Sequence, residues 1–272
     1  MPATKFLFWN IGRKPLAPLV SELAEIHGVD VIILAECATD PGAMLQALNR
    51  TPENGFHFPG SPGQRTIIFA RYAREFFQTV LDIPRVSIRS LSLPARAPVL
   101  LAAVHLPSKL HCSEESQKFE CVELARSIEI EERTAGHRRT ILVGDFNMNP
   151  FETGVVSAAG LNSVMSRQVA SRETRTVQGR EYRFFYNPMW SHFGDARDDT
   201  AGSYYYDAGE HVNYYWNMFD QVLLRPELAE HFDPTGLSIV RAVGAHSLVR
   251  PDGRPDPANG SDHLPILFEV EF

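Results

Sequence analysis

Gly144-Asp145-Phe146-Asn147 ends an apolar run, Thr140-Ile141-Leu142-Val143, and Ser261-Asp262-His263 lies near the C-terminus. An acid and an amide at the mouth of a buried strand, joined by a distant Asp-His pair, meet the needs of metal-assisted attack of water on phosphorus. Asn10 follows Phe6-Leu7-Phe8-Trp9, Glu36 follows Val31-Ile32-Ile33-Leu34-Ala35, and His105 follows Val99-Leu100-Leu101 by a few residues. Asp220 adjoins another apolar run, Val222-Leu223-Leu224. Carboxylate and amide oxygens suit hard cations such as Mg²⁺ or Mn²⁺. Each residue alone has an ordinary reading. Asn10 could cap a turn, Glu36 could end a strand in solvent, and Gly144 to Asn147 could be a plain turn. His105 could be a satisfied core histidine, and Asp262-His263 a local pair. One mechanism explains all of them together.

The elements that must position these groups follow from periodicity. Strands are expected at 5–10, 29–36, 66–70, 86–93, 98–105, 140–145, 222–224, 237–243 and 264–270. Helical spacing of Leu16, Leu19, Val20, Leu23 and Ile26 predicts a helix opened by Pro15 and closed at His27-Gly28. Further helices are expected at 41–48, 113–133 and 150–159. Early alternation of strand and helix, then a strand-rich middle, predicts α/β architecture with two packed sheets and helices outside. One domain over 1–272 is expected, with an irregular, variable region at 160–218 facing substrate.

Composition narrows the classes. The chain has 272 residues, enough for a sizeable core, and 44% hydrophobic residues, ordinary for a globular protein. No apolar run approaches the roughly 18 residues of a membrane span. No secretion signal is expected at the start, and Cys37, Cys112 and Cys121 show no zinc spacing. Reduced thiols in a cytoplasmic monomer are the expectation. A net charge of −7 argues against a chain that coats nucleic acid nonspecifically, while leaving room for a local basic groove.

Six segments in order, Trp9-Asn10-Ile11, Ala35-Glu36, Val104-His105-Leu106, Gly144-Asp145-Phe146-Asn147, Phe219-Asp220-Gln221 and Ser261-Asp262-His263, carry a resemblance to the endonuclease/exonuclease/phosphatase superfamily. The resemblance spans essentially the whole chain. It implies a four-layer αββα sandwich of two mixed sheets, a divalent cation and hydrolysis of a phosphate ester. It also implies roles. Glu36 with Asn10 and Asp262 would hold the metal, with Asp145, Asn147 and His263 as neighbouring ligands. Asp145 would orient or deprotonate water, Asn147 would fix that water or a phosphate oxygen, and His263 would contact the phosphate. Asp220 would orient His263, and His105 would donate to a non-bridging oxygen. Gly12 stands where some relatives carry an acid, and His105 where some carry a tyrosine. His105 makes the chain resemble the deoxyribonuclease and phosphatase branches more than the abasic-site enzymes.

Two stretches bear on substrate. Arg167, Arg172, Arg175, Arg180 and Arg183 precede a tyrosine-rich run that includes Tyr204, Tyr205, Tyr206, Tyr214, Tyr215 and Trp216. Such a mixture suits a single-stranded or flipped nucleotide. It equally suits a twisted hairpin with aromatic core residues and arginines on its wet face. Asn187 is a further candidate, and Lys109 could reach a phosphate or be a solvated surface lysine. A nuclease-like phosphodiesterase on DNA or RNA is the first expectation. A phosphatase or phosphodiesterase on a small phosphorylated molecule is the second, and a catalytically inactive binding module the third.

Overall fold

The computed structural model describes residues 3–51, 55–60, 65–194 and 200–272, so residues 195–199 of the 160–218 segment lie outside it. Strands β1 to β7 are Thr4–Asn10, Val31–Ala35, Thr66–Ala70, Phe77–Ile83, Val86–Leu91, Val99–His105 and Thr140–Asp145. Strands β8 to β14 are Ser163–Val164, Thr174–Val177, Arg180–Arg183, Phe185–Tyr186, Tyr204–Tyr205, Trp216–Asn217 and Asp220–Leu224. Strands β15 to β18 are Ser238–Ile239, Ala242–Val243, His246–Ser247 and Ile266–Val270. Five of them form one sheet in the order β15-β18-β1-β2-β3. Seven form a second, β4-β5-β6-β7-β14-β11-β8. Both sheets are mixed: β1 runs parallel to β2 and β6 parallel to β7, while β14 runs antiparallel to β7.

The three long helices end where local chemistry dictates. Helix α1, Ala17–His27, stops at Gly28, whose φ of 62° is the left-handed conformation that glycine adopts without strain. Helix α2, Pro41–Leu48, opens with Asp40 accepting from the amides of Gly42 and Ala43. Helix α3, Glu114–Ala135, is capped by Ser113 and closed by Gly136. Among the described residues, no helix is long and apolar enough to cross a membrane.

Alternation along the strands assigns the layers. Leu101 and Ala103 of β6, Ile141 and Val143 of β7, and Val222 and Leu224 of β14 pack in one core with the first sheet. Leu100, Ala102, Leu142 and Leu223 point the other way, against Cys121, Leu124 and Ile128 of α3. Helices α1 and α2 supply Val20, Leu23, Met44 and Leu48 to the core of the first sheet. The result is the four-layer αββα sandwich.

Three expectations change. The helix at 150–159 is only the single turn Thr153–Val156; the chain then folds back so that the Leu161 amide donates to the Gly154 carbonyl, a close approach that the missing Cβ of Gly160 permits. The strand at 237–243 splits into β15 and β16, which belong to different sheets. Strand β4 was not foreseen; it is a half-exposed outer strand whose register shifts between Thr79 and Leu81, which breaks the alternation a sequence pattern needs.

Candidate active site

The same alternation that builds the core delivers the chemistry. His105 continues the inward row of Leu101 and Ala103, Asp145 that of Ile141 and Val143, and Asp220 that of Val222 and Leu224. The strand registers pair His105 with Asp145 and Asp145 with Asp220. Three polar side chains therefore stand side by side at one rim of the second sheet, facing the first. Gly144 makes this possible. A Cβ there would overlap the Val104 carbonyl oxygen, so only glycine lets β6 and β7 approach so closely beside Asp145.

The first sheet answers from across the rim. Strands β1 and β2 end together, with Asn10 opposite Ala35 and Glu36 one residue on. Asn10 donates from Nδ2 to Asp145 Oδ2 at 2.9 Å and accepts the Gly12 amide on Oδ1 at 3.0 Å. Glu36 holds a φ of 49°, an uncommon conformation for a residue other than glycine. Backbone bonds keep it there: its amide donates to the Arg65 carbonyl, and its carbonyl accepts from the Arg13 amide. Strain maintained in this way clusters at working sites. Asn147, at φ 50°, is pinned likewise, donating its amide to Asp145 Oδ1 and its Nδ2 to the Leu106 carbonyl.

Asp220 and His263 form a buried pair, His263 Nδ1 donating to Asp220 Oδ2 at 2.8 Å. That bond leaves Nε2 of His263 turned to the cleft, 3.9 Å from Asp145 Oδ2. Burial alone would lower the His263 pKa; the carboxylates of Asp220 and Asp145 outweigh it and hold the ring protonated, near 10. Burial pushes the Asp145 carboxyl up to about 7, against the pull of His263. Burial and the cations Arg65, His263, Arg85 and Arg13 lower His105 to about 4, so its ring is neutral at physiological pH. Its Nε2 stands 3.6 Å from Glu36 Oε1 and 3.7 Å from Asp145 Oδ2.

Two further supports come from Ser203 and Tyr204. Ser203 Oγ accepts the Asp220 amide at 3.1 Å, and the Ser203 carbonyl accepts the Leu264 amide. The Tyr204 ring lies 4.6 Å from the His263 ring, centroid to centroid. One short segment thus braces both members of the buried pair. Trp9 Nε1 adds a bond to the His263 carbonyl.

Asn10, Glu36, Asp262 and His263 line a cleft of about 290 Å³, with Lys14 at its side. Asp262 is exposed and Glu36 half-buried, so their carboxylates are open to a cation from solvent. A Cβ at Gly12 would lie 3.3 Å from Asp262 Oδ1, so the bare glycine keeps room beside that carboxylate. This all-oxygen set of Asn10, Glu36 and Asp262 fits a hard divalent ion. Asp145, Asp220 and His263 also bring possible ligand atoms within 4.8 Å of one another. Asp145 is engaged by Asn10 and the Asn147 amide, and Asp220 Oδ2 by His263 Nδ1, while Asp220 Oδ1 is buried without a hydrogen-bond partner.

Two sequence candidates fall outside the cleft. Asn187 is fully buried, donating to Gln221 Oε1 and accepting the Met189 amide. Gln221 in turn holds the Met148 carbonyl, so Asn187 supports the loop that carries Asn147. Lys109 pairs its Nζ with Glu152 at 2.6 Å.

The arginine-rich stretch lies elsewhere. Tyr186 pairs with Leu224, at the end of β14 remote from Asp220. The β9–β10 hairpin precedes β11 and leaves the sheet at that far edge, about 13 Å down the strand at 3.3 Å per residue. Arg175 and Arg180 are exposed there, and Arg167 caps the Phe232 carbonyl. The hairpin reading of this stretch stands, with Phe184, Phe185 and Tyr186 as core residues. The tyrosine-rich stretch, by contrast, adjoins His263.

Comparisons with known proteins agree with this geometry. No curated protein matches the chain significantly. Among solved structures, a truncated TDP2 from Caenorhabditis elegans superposes with a TM-score of 0.56 at 14% identity, covering 99% of this chain and 98% of that one. An endonuclease/exonuclease/phosphatase family protein from Bacteroides thetaiotaomicron gives 0.61 at 14% identity, covering 99% and 95%. A 3′-5′ exonuclease from Neisseria meningitidis gives 0.55 at 16% identity, covering 99% and 100%. At these identities the likeness is one of fold. The model of the Endonuclease/Exonuclease/phosphatase family matches residues 7–263, and the chain belongs to that family of phosphoester hydrolases.

Proposed function

We propose that this enzyme is a Mg²⁺- or Mn²⁺-dependent phosphodiesterase with nuclease-like action on DNA or RNA. The observation that carries the reading is the in-register row of His105, Asp145 and Asp220 facing the oxygen donors Asn10 and Glu36. Glu36, Asn10 and Asp262 would hold the cation, which when bound supplies positive charge at the phosphoryl and leaving oxygens. Asp145, gripped by the Asn147 amide and the Asn10 carboxamide, orients water and takes its proton as the water oxygen attacks phosphorus and the ester P–O bond breaks, the departing alkoxide taking a proton from solvent. Asn147 steadies that water or a phosphate oxygen. Protonated His263, braced by Asp220, donates from Nε2 to a phosphoryl oxygen as negative charge builds. Neutral His105 donates from Nε2 to a second. Arg13, Arg65 and Arg85, all felt electrostatically by His105, add an attractive field for a phosphate strand.

A second reading is favoured by the position of the arginine-rich hairpin at the far edge and by the net charge of −7. It makes the substrate a small phosphoester. A parallel panel decides: supercoiled plasmid, single-stranded DNA, RNA, a small phosphodiester and a phosphomonoester, each with Mg²⁺ or Mn²⁺. Cleavage of a polynucleotide is the expected result. Turnover of the small esters alone would replace the first reading with the second.

A further inference from the structure

We propose that the tyrosine-rich hairpin beside His263 is a stacking subsite for an unpaired base next to the scissile phosphate, with Tyr206 as its outer platform. The proposal deepens the polynucleotide reading and rests on it.

Strands β12 and β13 pair Tyr204 with Asn217 and Tyr205 with Trp216, and the Tyr206 amide extends the ladder to the Tyr215 carbonyl. Alternation sends Tyr204 and Tyr206 to one side and Tyr205 to the other. On the first side the rings form a graded stack. Phe219 and Tyr204 lie 5.2 Å apart at 24°, and Tyr204 and Tyr206 lie 6.5 Å apart at 16°. Tyr204 also leans on the His263 imidazole at 4.6 Å. The stack therefore starts at the ring that faces the phosphate and ends in solvent, where Tyr206 is 48% exposed. Near-parallel rings offer a flat terminal face, which a planar heterocycle extends in an offset stack. On the other side Arg254 sits 4.1 Å over the Tyr205 ring, its Nε 3.5 Å from Asp252 Oδ2, and brings a guanidinium to the same hairpin. Base stacking with a backbone cation is how unpaired strands are held without sequence preference.

The test is equilibrium binding of a labelled oligothymidylate in EDTA, where no hydrolysis intervenes, against an abasic strand of equal length and charge. The native protein should bind the base-bearing strand more tightly. Tyr206→Ala should weaken that binding about 5- to 150-fold, the loss expected for one stacked base, and leave the abasic strand unchanged. Tyr206→Trp should restore it. Equal binding of both strands by the native protein, or an equal loss for both in Tyr206→Ala, would overturn the subsite. Metal-dependent cleavage of single-stranded DNA separates the two claims. Equal cleavage of base-bearing and abasic strands removes the subsite and keeps the nuclease reading, while absence of any polynucleotide cleavage removes both.

Discussion

His263→Ala is expected to lower turnover of a phosphodiester by about 10²- to 10⁴-fold, the range for loss of a positioned proton donor to a charging oxygen. The effect is large because the ring is held protonated between Asp220 and Asp145, with Nδ1 committed and Nε2 facing the cleft. The substitution also strands the fully buried Asp220 without its partner, and breaking such a pair costs about 3–5 kcal/mol of stability. His263→Gln separates the two effects. Its amide donates to Asp220 and carries no charge, so stability should largely return while turnover stays low. Steady-state kinetics with thermal unfolding on both variants checks this. Recovered turnover in His263→Gln would show that His263 only props the structure.

Asp145→Asn should cost a similar factor, about 10²- to 10⁴-fold, by removing the proton acceptor. An asparagine keeps the shape but puts an amide group against either the Asn10 carboxamide or the Asn147 amide, so one of two positioning bonds is lost. Stability moves the other way at higher pH. The Asp145 carboxyl is raised in the fold from 3.8 to about 7, so its proton stabilises the native state at low pH. That contribution fades as pH rises from 3.8 through about 7. The variant has no such group. In metal-free buffer its Tm should fall less than that of the native protein across this window, and a parallel fall would contradict the assignment.

How much of this was legible before folding depends on the residue. Asp145 was, because an apolar run fully buried on both faces ends in Gly-Asp-Phe-Asn, and such a run admits few structures. Asn10 and Glu36 were legible for the same reason. Their joint rim was not, since it depends on the spatial order β6-β7-β14 in one sheet and β1-β2 in the other. Ser203 carried no signal, because its contact with Asp220 arises in an irregular stretch, and Tyr204 stood in the tyrosine-rich run with nothing there to place its ring against His263. The arginine stretch misled for a related reason: sequence proximity to Asp145 says nothing about which end of β14 the chain returns to.

Metal dependence at the cleft of Asn10, Glu36 and Asp262 is the most direct test. Hydrolysis of a phosphodiester should vanish in EDTA, return with added Mg²⁺ or Mn²⁺, and in Glu36→Gln require a higher metal concentration for half-activation. Hydrolysis that persists in EDTA, or a Glu36→Gln variant with an unchanged metal requirement, would contradict it.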